Sequence, residues 1–510
     1  KYGTLERLNA EWETSFASWD DVVPFTRQEV WEAKGKHVAG WADHLEFMDD
    51  RLTNSVAYSC RRLHRADPDM RFSLSGTQPP NAYGGTDCWK ILGVLDSALS
   101  YGSGGQHDIH RSFRPDGAFT PWVWGYNFRG GRAVSAVWRP LFYGCRGLMG
   151  FCQSSQWNPD LTYSKGLVET VDHIQRLRHG VGKHVVNNLR TRPDVAILYS
   201  QASIRAAFIE NRRKEHEACE EKVRTLLMNL GYSYDYVSDV QLASGVAEAR
   251  GYKVLYLPDA AALGDDEIAG VRKFAAKGVV VADGLPGRLR QNCRARRESP
   301  LEDLFATGGA LLFTDLSDKD HARFDAALAK AGVKVDRLTA STADGTRVND
   351  LSIFAKVDSR GNPFWGVLFP EGASRRLTFA FPRRGFVYEL VNGKAYGAVD
   401  RLELTADVGT PLAFVQLPEE AGLAALEAKG GSVTVRTKGP ADSVVRLRVF
   451  DPSGKEAEHY ARNLVVRGGE PVVCTVPFAR SDAAGVWTLR AEEVISGEVR
   501  TVKMDFGSMR

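Results

Sequence analysis

The stretch His107-Asp108-Ile109-His110 sets two imidazoles and a carboxylate within four positions, the densest titratable cluster in the first third of the chain. Asp108 in this setting suits a general base, with His107 or His110 orienting it or passing a proton. The H-x-x-H spacing also suits a metal, but with no clear third ligand nearby no metal is expected; the alternative is a solvated loop. Asp87, after Gly84-Gly85, can act as a base or orient a substrate hydroxyl, and equally can cap the helix that follows it. Asp96 reads as a structural cap or pair. Trp122, Trp124 and Tyr126 offer flat apolar faces for stacking on a ring, or core filling. Tyr101 and His110 join them as candidate binding residues, as do Gln153, Gln156 and Trp157, whose neutral hydrogen-bonding groups suit a polyhydroxylated ligand.

These residues need a scaffold that brings them to one edge. The pattern predicts a helix over 39–65, a strand over 70–75 and a turn-rich loop over 76–85. A helix over 87–92, a strand over 95–101, a glycine-rich loop over 102–105 and a strand over 119–125 follow. After the loop 126–131 come a helix from 133 and a strand over 147–152. Repeated strand, loop and helix fits parallel β/α units, whose sites lie at the strands' C-terminal ends. A second α/β layer is expected over 188–340, with strands at 195–199, 254–257 and 279–282. Helices over 215–230 and 265–277 separate them, the latter closed by Gly278. It carries neither G-x-G-x-x-G nor a P-loop, so no nucleotide cofactor is expected. From 341 onward the period is two. Strands at 364–369, 376–381 and 386–390 suggest one small β domain over 341–425. Strands at 432–437, 444–450, 471–476 and 486–492 suggest a sandwich over 426–510, with Asp451-Pro-Ser-Gly454 as a tight turn.

The 510 residues correspond to three or four domains at roughly 150 residues each. Lys and Arg number 66 against 63 Asp and Glu, a net charge of +3 that removes the electrostatic case for nucleic acid or an anionic membrane. No run of about 18 apolar residues is present. Of the 11 Trp, Trp12, Trp19, Trp31, Trp41, Trp89, Trp122, Trp124 and Trp138 crowd before residue 140, which sets the first third apart. Seven dispersed Cys without a C-x-x-C pair argue against a disulfide framework and leave the compartment open. The chain begins at Lys1, consistent with a removed segment or a start inside a longer polypeptide.

Several segments resemble glycoside hydrolase family 42, the β-galactosidases with a trimerisation domain. Residues 1–12 (Lys-Tyr-Gly-Thr-Leu-Glu-Arg-Leu-Asn-Ala-Glu-Trp) are similar to the family's helix after the fourth barrel strand, and 18–21 (Ser-Trp-Asp-Asp) to the loop beyond it. Residues 134–151, with Tyr143-Gly-Cys-Arg-Gly-Leu-Met-Gly-Phe151, resemble the last helix and strand; 193–200 (Pro-Asp-Val-Ala-Ile-Leu-Tyr-Ser) resemble the opening of the middle domain. The resemblance covers roughly residues 1–340, and the order of the motifs is its stronger part.

It implies a partial (β/α)8 barrel, strands five to eight, over 1–187. A flavodoxin- or amidotransferase-like α/β trimerisation domain follows over 188–340, then the two small β domains. A full barrel takes about 250 residues, so the first four strands are expected from a preceding segment or a second chain. The family's acid/base would lie outside this sequence. Trp124 or a neighbour occupies the place of the strand-seven nucleophile, leaving Asp108 or Asp87 as the replacement carboxylate. Tyr101 matches a tyrosine common at the end of the sixth strand. No cysteine occupies the amidotransferase nucleophile position in 254–261, and Cys219 is not on an elbow, so subunit contact, as a homo-oligomer, is the middle domain's implied role. The expected activity is on β-galactosides or related carbohydrates; the alternative is a non-catalytic carbohydrate-binding or assembly subunit.

Overall fold

The computed structural model describes residues 1–505 except 84, 102–103, 124–130, 152–155, 191–192, 309, 314–320, 334–336, 371–373 and 408. The chain divides into two compact units. One comprises 1–122, 193–227 and 232–334; the other 123–192, 228–231 and 335–510.

In the first unit, α1 (Leu5–Trp12) starts where the Thr4 hydroxyl accepts from the Arg7 N–H, and it buries Leu8 and Trp12 one turn apart. A capping box between Ser18 and Asp21 closes the next turn, and a second, between Thr26 and Glu29, opens α2 (Arg27–Glu32). α3 (Val38–Ala66) turns Val38, Trp41, Ala42, Val56, Ala57 and Cys60 inward. Trp12 and Trp41 are core and Trp138 is wholly buried in the other unit, whereas Trp19 and Trp31 keep exposed faces. The tryptophan crowding thus serves packing at some positions and surface at others.

Three parallel strands follow: β1 (Ser73–Thr77), β2 (Ser97–Ser100) and β3 (Ala118–Phe119), in the order β1-β2-β3. Between them lie α4 (Cys88–Leu92) and α5 (Gly104–Phe113). No closed barrel is formed among the described residues. The strand expected over 119–125 is broken at Thr120-Pro121, because Pro121 has no N–H to continue a ladder. Its described remainder is Trp122–Val123, and within the second unit the Phe151 N–H donates to the Val123 carbonyl at 2.9 Å. The expected strand over 147–152 is reduced to Met149–Gly150.

The first unit also contains a five-stranded parallel sheet in the spatial order 310–313, 279–283, 254–258, 195–199, 234–238. Val195–Tyr199 and Val254–Pro258 are buried at every position, the mark of strands covered on both faces. The helix Asp265–Ala275 covers one face, with Ile268, Val271 and Phe274 in a core shared with Leu198, Leu257 and Val280.

The second unit is mainly antiparallel. A sheet built on the strands Ser352–Val357, Pro363–Leu368, Arg375–Glu389 and Leu412–Leu417 buries Trp365, Phe379 and Phe414. The two strands expected at 376–381 and 386–390 are one strand, Arg375–Glu389; Pro382 and Gly385 bulge it, shifting the register between Ala380 and Gly385, without ending it. Three strands and four strands then face each other across Val433, Val435, Leu447, Leu489 and Trp487. No helix among the described residues is long and apolar enough to cross a membrane.

Candidate functional site

The C-terminal edge of β1-β2-β3 is where parallel units place ligands. β1 reaches that edge through Gly76, whose φ of +70° is a left-handed conformation suited to glycine. The Thr77 hydroxyl donates back to the Leu74 carbonyl at 3.1 Å, and the Gln78 amide to the Gly76 carbonyl at 3.1 Å. Tyr101, the first residue beyond β2, lies with its ring against Gly76 and is 56% exposed. From α5, the Gln106 amide donates to the Thr77 carbonyl at 2.6 Å, tying the helix to the strand end.

The loop beyond β1 is held by its own side chains. The Asn81 amide donates to the Pro79 carbonyl and the Thr86 hydroxyl while its oxygen accepts from the Tyr83 N–H at 2.8 Å. Asp87 ends the loop as the N-cap of α4, accepting from the Trp89 and Lys90 N–H groups at 2.9 and 3.4 Å. Burial raises its pKa, against the pull of Lys90 and Arg205. Nearby charge includes the buried pair of Asp49 with Arg205, in which burial, ahead of the Arg205 attraction, lifts Asp49 to about 6.

His107, Asp108 and His110 are not in a loop: all three lie on α5 and all are buried. Gly104-Gly105 marks the start of this helix instead of continuing a turn. The helix is fixed by the contacts it makes. The Asp108 carboxylate, 1% exposed, meets Arg111 at 2.5 Å and Arg224 at 3.6 Å, and accepts from the Tyr234 hydroxyl. One turn later the Ser112 hydroxyl accepts from the Tyr236 N–H at 2.9 Å and donates to the Asp108 carbonyl at 2.6 Å. Asp108 therefore clamps α5 to the helix Arg213–Asn229 and the strand Tyr234–Ser238. His110 packs its ring 5.1 Å from that of Phe119, and burial, then His107, lowers its pKa to about 3. It is a neutral imidazole at ordinary pH.

Trp122 is half-buried, three residues past β3, and is not part of the three-stranded sheet. Trp124, Tyr126 and Gln153 lie outside the described residues. Gln156 and Trp157 belong to the second unit. There Trp157 is 41% exposed, bridges antiparallel to Tyr163, and sets its ring 4.8 Å from the tyrosine's.

Sequence reasoning missed two features. At the end of the strand Val254–Pro258, Asp259 adopts φ +37°, a left-handed conformation that is uncommon for a residue with a side chain. Arg212 and His216 hold its carboxylate at 3.2 Å; burial opposes the charge, but these two partners outweigh it and lower the pKa. Cys219 is pushed up to about 12 by burial and then by Asp283, so its thiol stays protonated. The other feature is the convergence of Cys60 and His64, one turn apart on α3, with the sequence-distant Asp96 at the opposite edge of the three-stranded sheet.

No protein-family model matches the sequence, and no curated protein sequence matches it. Solved structures do. A GH42 β-galactosidase from G. stearothermophilus superposes with a TM-score of 0.64 at 14% identity, over 81% of this chain and 73% of that one. An apo exo-carrageenase of GH42 from Bacteroides ovatus gives 0.62 at 13% identity, over 82% of this chain and 61% of that one. The β-galactosidase from the psychrophilic Marinomonas ef1 gives 0.58 at 13%, over 82% and 74%. The chain thus has a GH42-like fold, and spans about three-fifths to three-quarters of the length of these structures.

Proposed function

We propose that this chain belongs to a carbohydrate-active protein of glycoside hydrolase type, acting on β-galactosides or related glycans. The observation that carries this reading is the GH42-like fold over four-fifths of the chain, shared with a β-galactosidase and an exo-carrageenase. The exposed Tyr101 ring at the strand ends adds a surface of the kind that stacks on a sugar face. Retaining hydrolysis needs two carboxyl groups about 5 Å apart, one free to attack. Asp108 is committed to two guanidinium groups and Asp87 to a helix cap, which favours a catalytic pair drawn from elsewhere, including strands supplied by a preceding segment or chain.

The same commitments favour a second reading, a non-catalytic carbohydrate-binding or assembly subunit. Release of chromophore from a chromogenic β-galactoside, alongside calorimetric titration with a galacto-oligosaccharide, separates the two. Binding with turnover supports the hydrolase, and binding without turnover the subunit. Absence of both overturns the carbohydrate reading. Assembly through the five-stranded domain is part of the proposal, and a native mass three times 56.2 kDa is its expected result.

A further inference from the structure

Cys60 and His64 stand one turn apart near the C-terminal end of α3, so their side chains share a face. Asp96, in the turn before β2, reaches the same point. Cys60 Sγ lies 3.7 Å from Asp96 Oδ2 and 3.9 Å from His64 Nε2, and His64 Nε2 lies 2.9 Å from Asp96 Oδ2. A tetrahedral centre with metal–sulfur bonds of about 2.3 Å and metal–nitrogen or metal–oxygen bonds of about 2.0–2.1 Å has donor–donor edges of roughly 3.3–3.6 Å. Each observed edge is within about half an ångström of that, and the His64 side chain, 36% exposed, has room to make the adjustment. We propose that Cys60, His64 and Asp96 form a three-donor site for a thiophilic divalent cation, of which zinc is the type, with its fourth position open to solvent beside His64.

The surroundings suit that role. Asp96 is already fixed: its Oδ2 accepts from the Phe72 N–H at 2.8 Å, and the Arg114 guanidinium stands 4.0 Å from Oδ1. Such outer contacts orient a ligating carboxylate before the metal arrives. Binding forms the metal–sulfur bond as the Cys60 thiol proton leaves to solvent, while a ring nitrogen of His64 gives its lone pair. The site joins the end of α3 to the segments leading into β1 and β2, at the edge away from Tyr101. Its role is to staple helix to sheet, and it does not depend on the proposed activity.

The test uses the full chain, treated with a chelator and titrated with cobalt(II) alone, then with zinc as competitor. One equivalent of cobalt is expected to give tetrahedral ligand-field bands with a sulfur-to-cobalt charge-transfer band, both displaced by zinc. Cys60→Ser should remove the charge-transfer band, and Asp96→Asn should weaken cobalt binding at least about tenfold. Zinc should raise the melting temperature of the wild type but of neither variant. Asp96→Asn keeps an acceptor for Phe72, so it reports on the metal even if Cys60→Ser folds poorly. A cobalt spectrum without the sulfur band, or one unchanged in either variant, overturns the proposal.

Discussion

The Tyr101 ring lies so close over Gly76 that a β-carbon placed on the glycine would stand 2.6 Å from it. Gly76 lies near the end of β1 and Tyr101 just past the neighbouring parallel strand β2, and the missing side chain is what lets the tyrosine ring come this close to the strand end. The strand end and the candidate stacking surface are therefore a single feature.

Gly76→Ala should displace that ring and also strain the backbone, since φ at this position is +70°. The expected cost is about 1–2 kcal/mol from the left-handed conformation alone. Calorimetry should show weaker galacto-oligosaccharide binding, and Tyr101→Ala should reproduce the weakening without the loss in melting temperature. Equal affinity in both variants would remove Tyr101 from the binding surface.

Asp108→Asn tests whether that carboxylate is structural or catalytic. Removing its charge leaves Arg224, itself buried, facing an amide. Breaking a buried pair by changing one partner costs about 3–5 kcal/mol. Denaturant unfolding should register a loss of that order, with any turnover of the folded fraction changed less than about tenfold. An intact melting curve with abolished turnover would make Asp108 the catalytic carboxylate after all.

His110 predicts an acid limb in the stability profile. Its pKa is held down to about 3 in the folded chain, against an ordinary 6.5 when unfolded. Between those values the unfolded state binds the extra proton, so stability falls as pH drops from about 6.5 toward 3. The slope contributed is up to about 1.4 kcal/mol per pH unit. Replacing the ring by an apolar one, His110→Phe, should flatten that limb, measured as urea midpoints between pH 4 and pH 7. An unchanged slope would show that His110 is not the group responsible.

In the second unit, Gly366 faces the Phe142 ring, with an added β-carbon 2.5 Å from it. Gly366→Val should overpack this contact and destabilise by about 1–3 kcal/mol. Pairing it with Phe142→Leu should recover part of the loss, and a double-mutant cycle showing no coupling would contradict the packing described.

The strands Val195–Tyr199 and Val254–Pro258, the helix Asp265–Ala275 and the strand Ser432–Thr437 are legible in the sequence because each is written in a local run or period. Hydrophobic burial needs no distant partner to declare its periodicity. The break at Thr120-Pro121 also has a local cause, a missing N–H, yet the strand expected over 119–125 runs through it. The His107–His110 stretch is different. Two glycines before it read as loop, and only the bonds from Asp108 and Ser112 to Arg224, Tyr234 and Tyr236, more than 100 positions away, make it a buried helix. The clustering of Cys60, His64 and Asp96 is likewise decided by the tertiary structure, because a coordination geometry depends on distances that 32 to 36 residues of sequence separation do not encode. Sequence alone sets which segments bury themselves; docking between segments sets which polar groups are spent on structure and which are left facing a ligand.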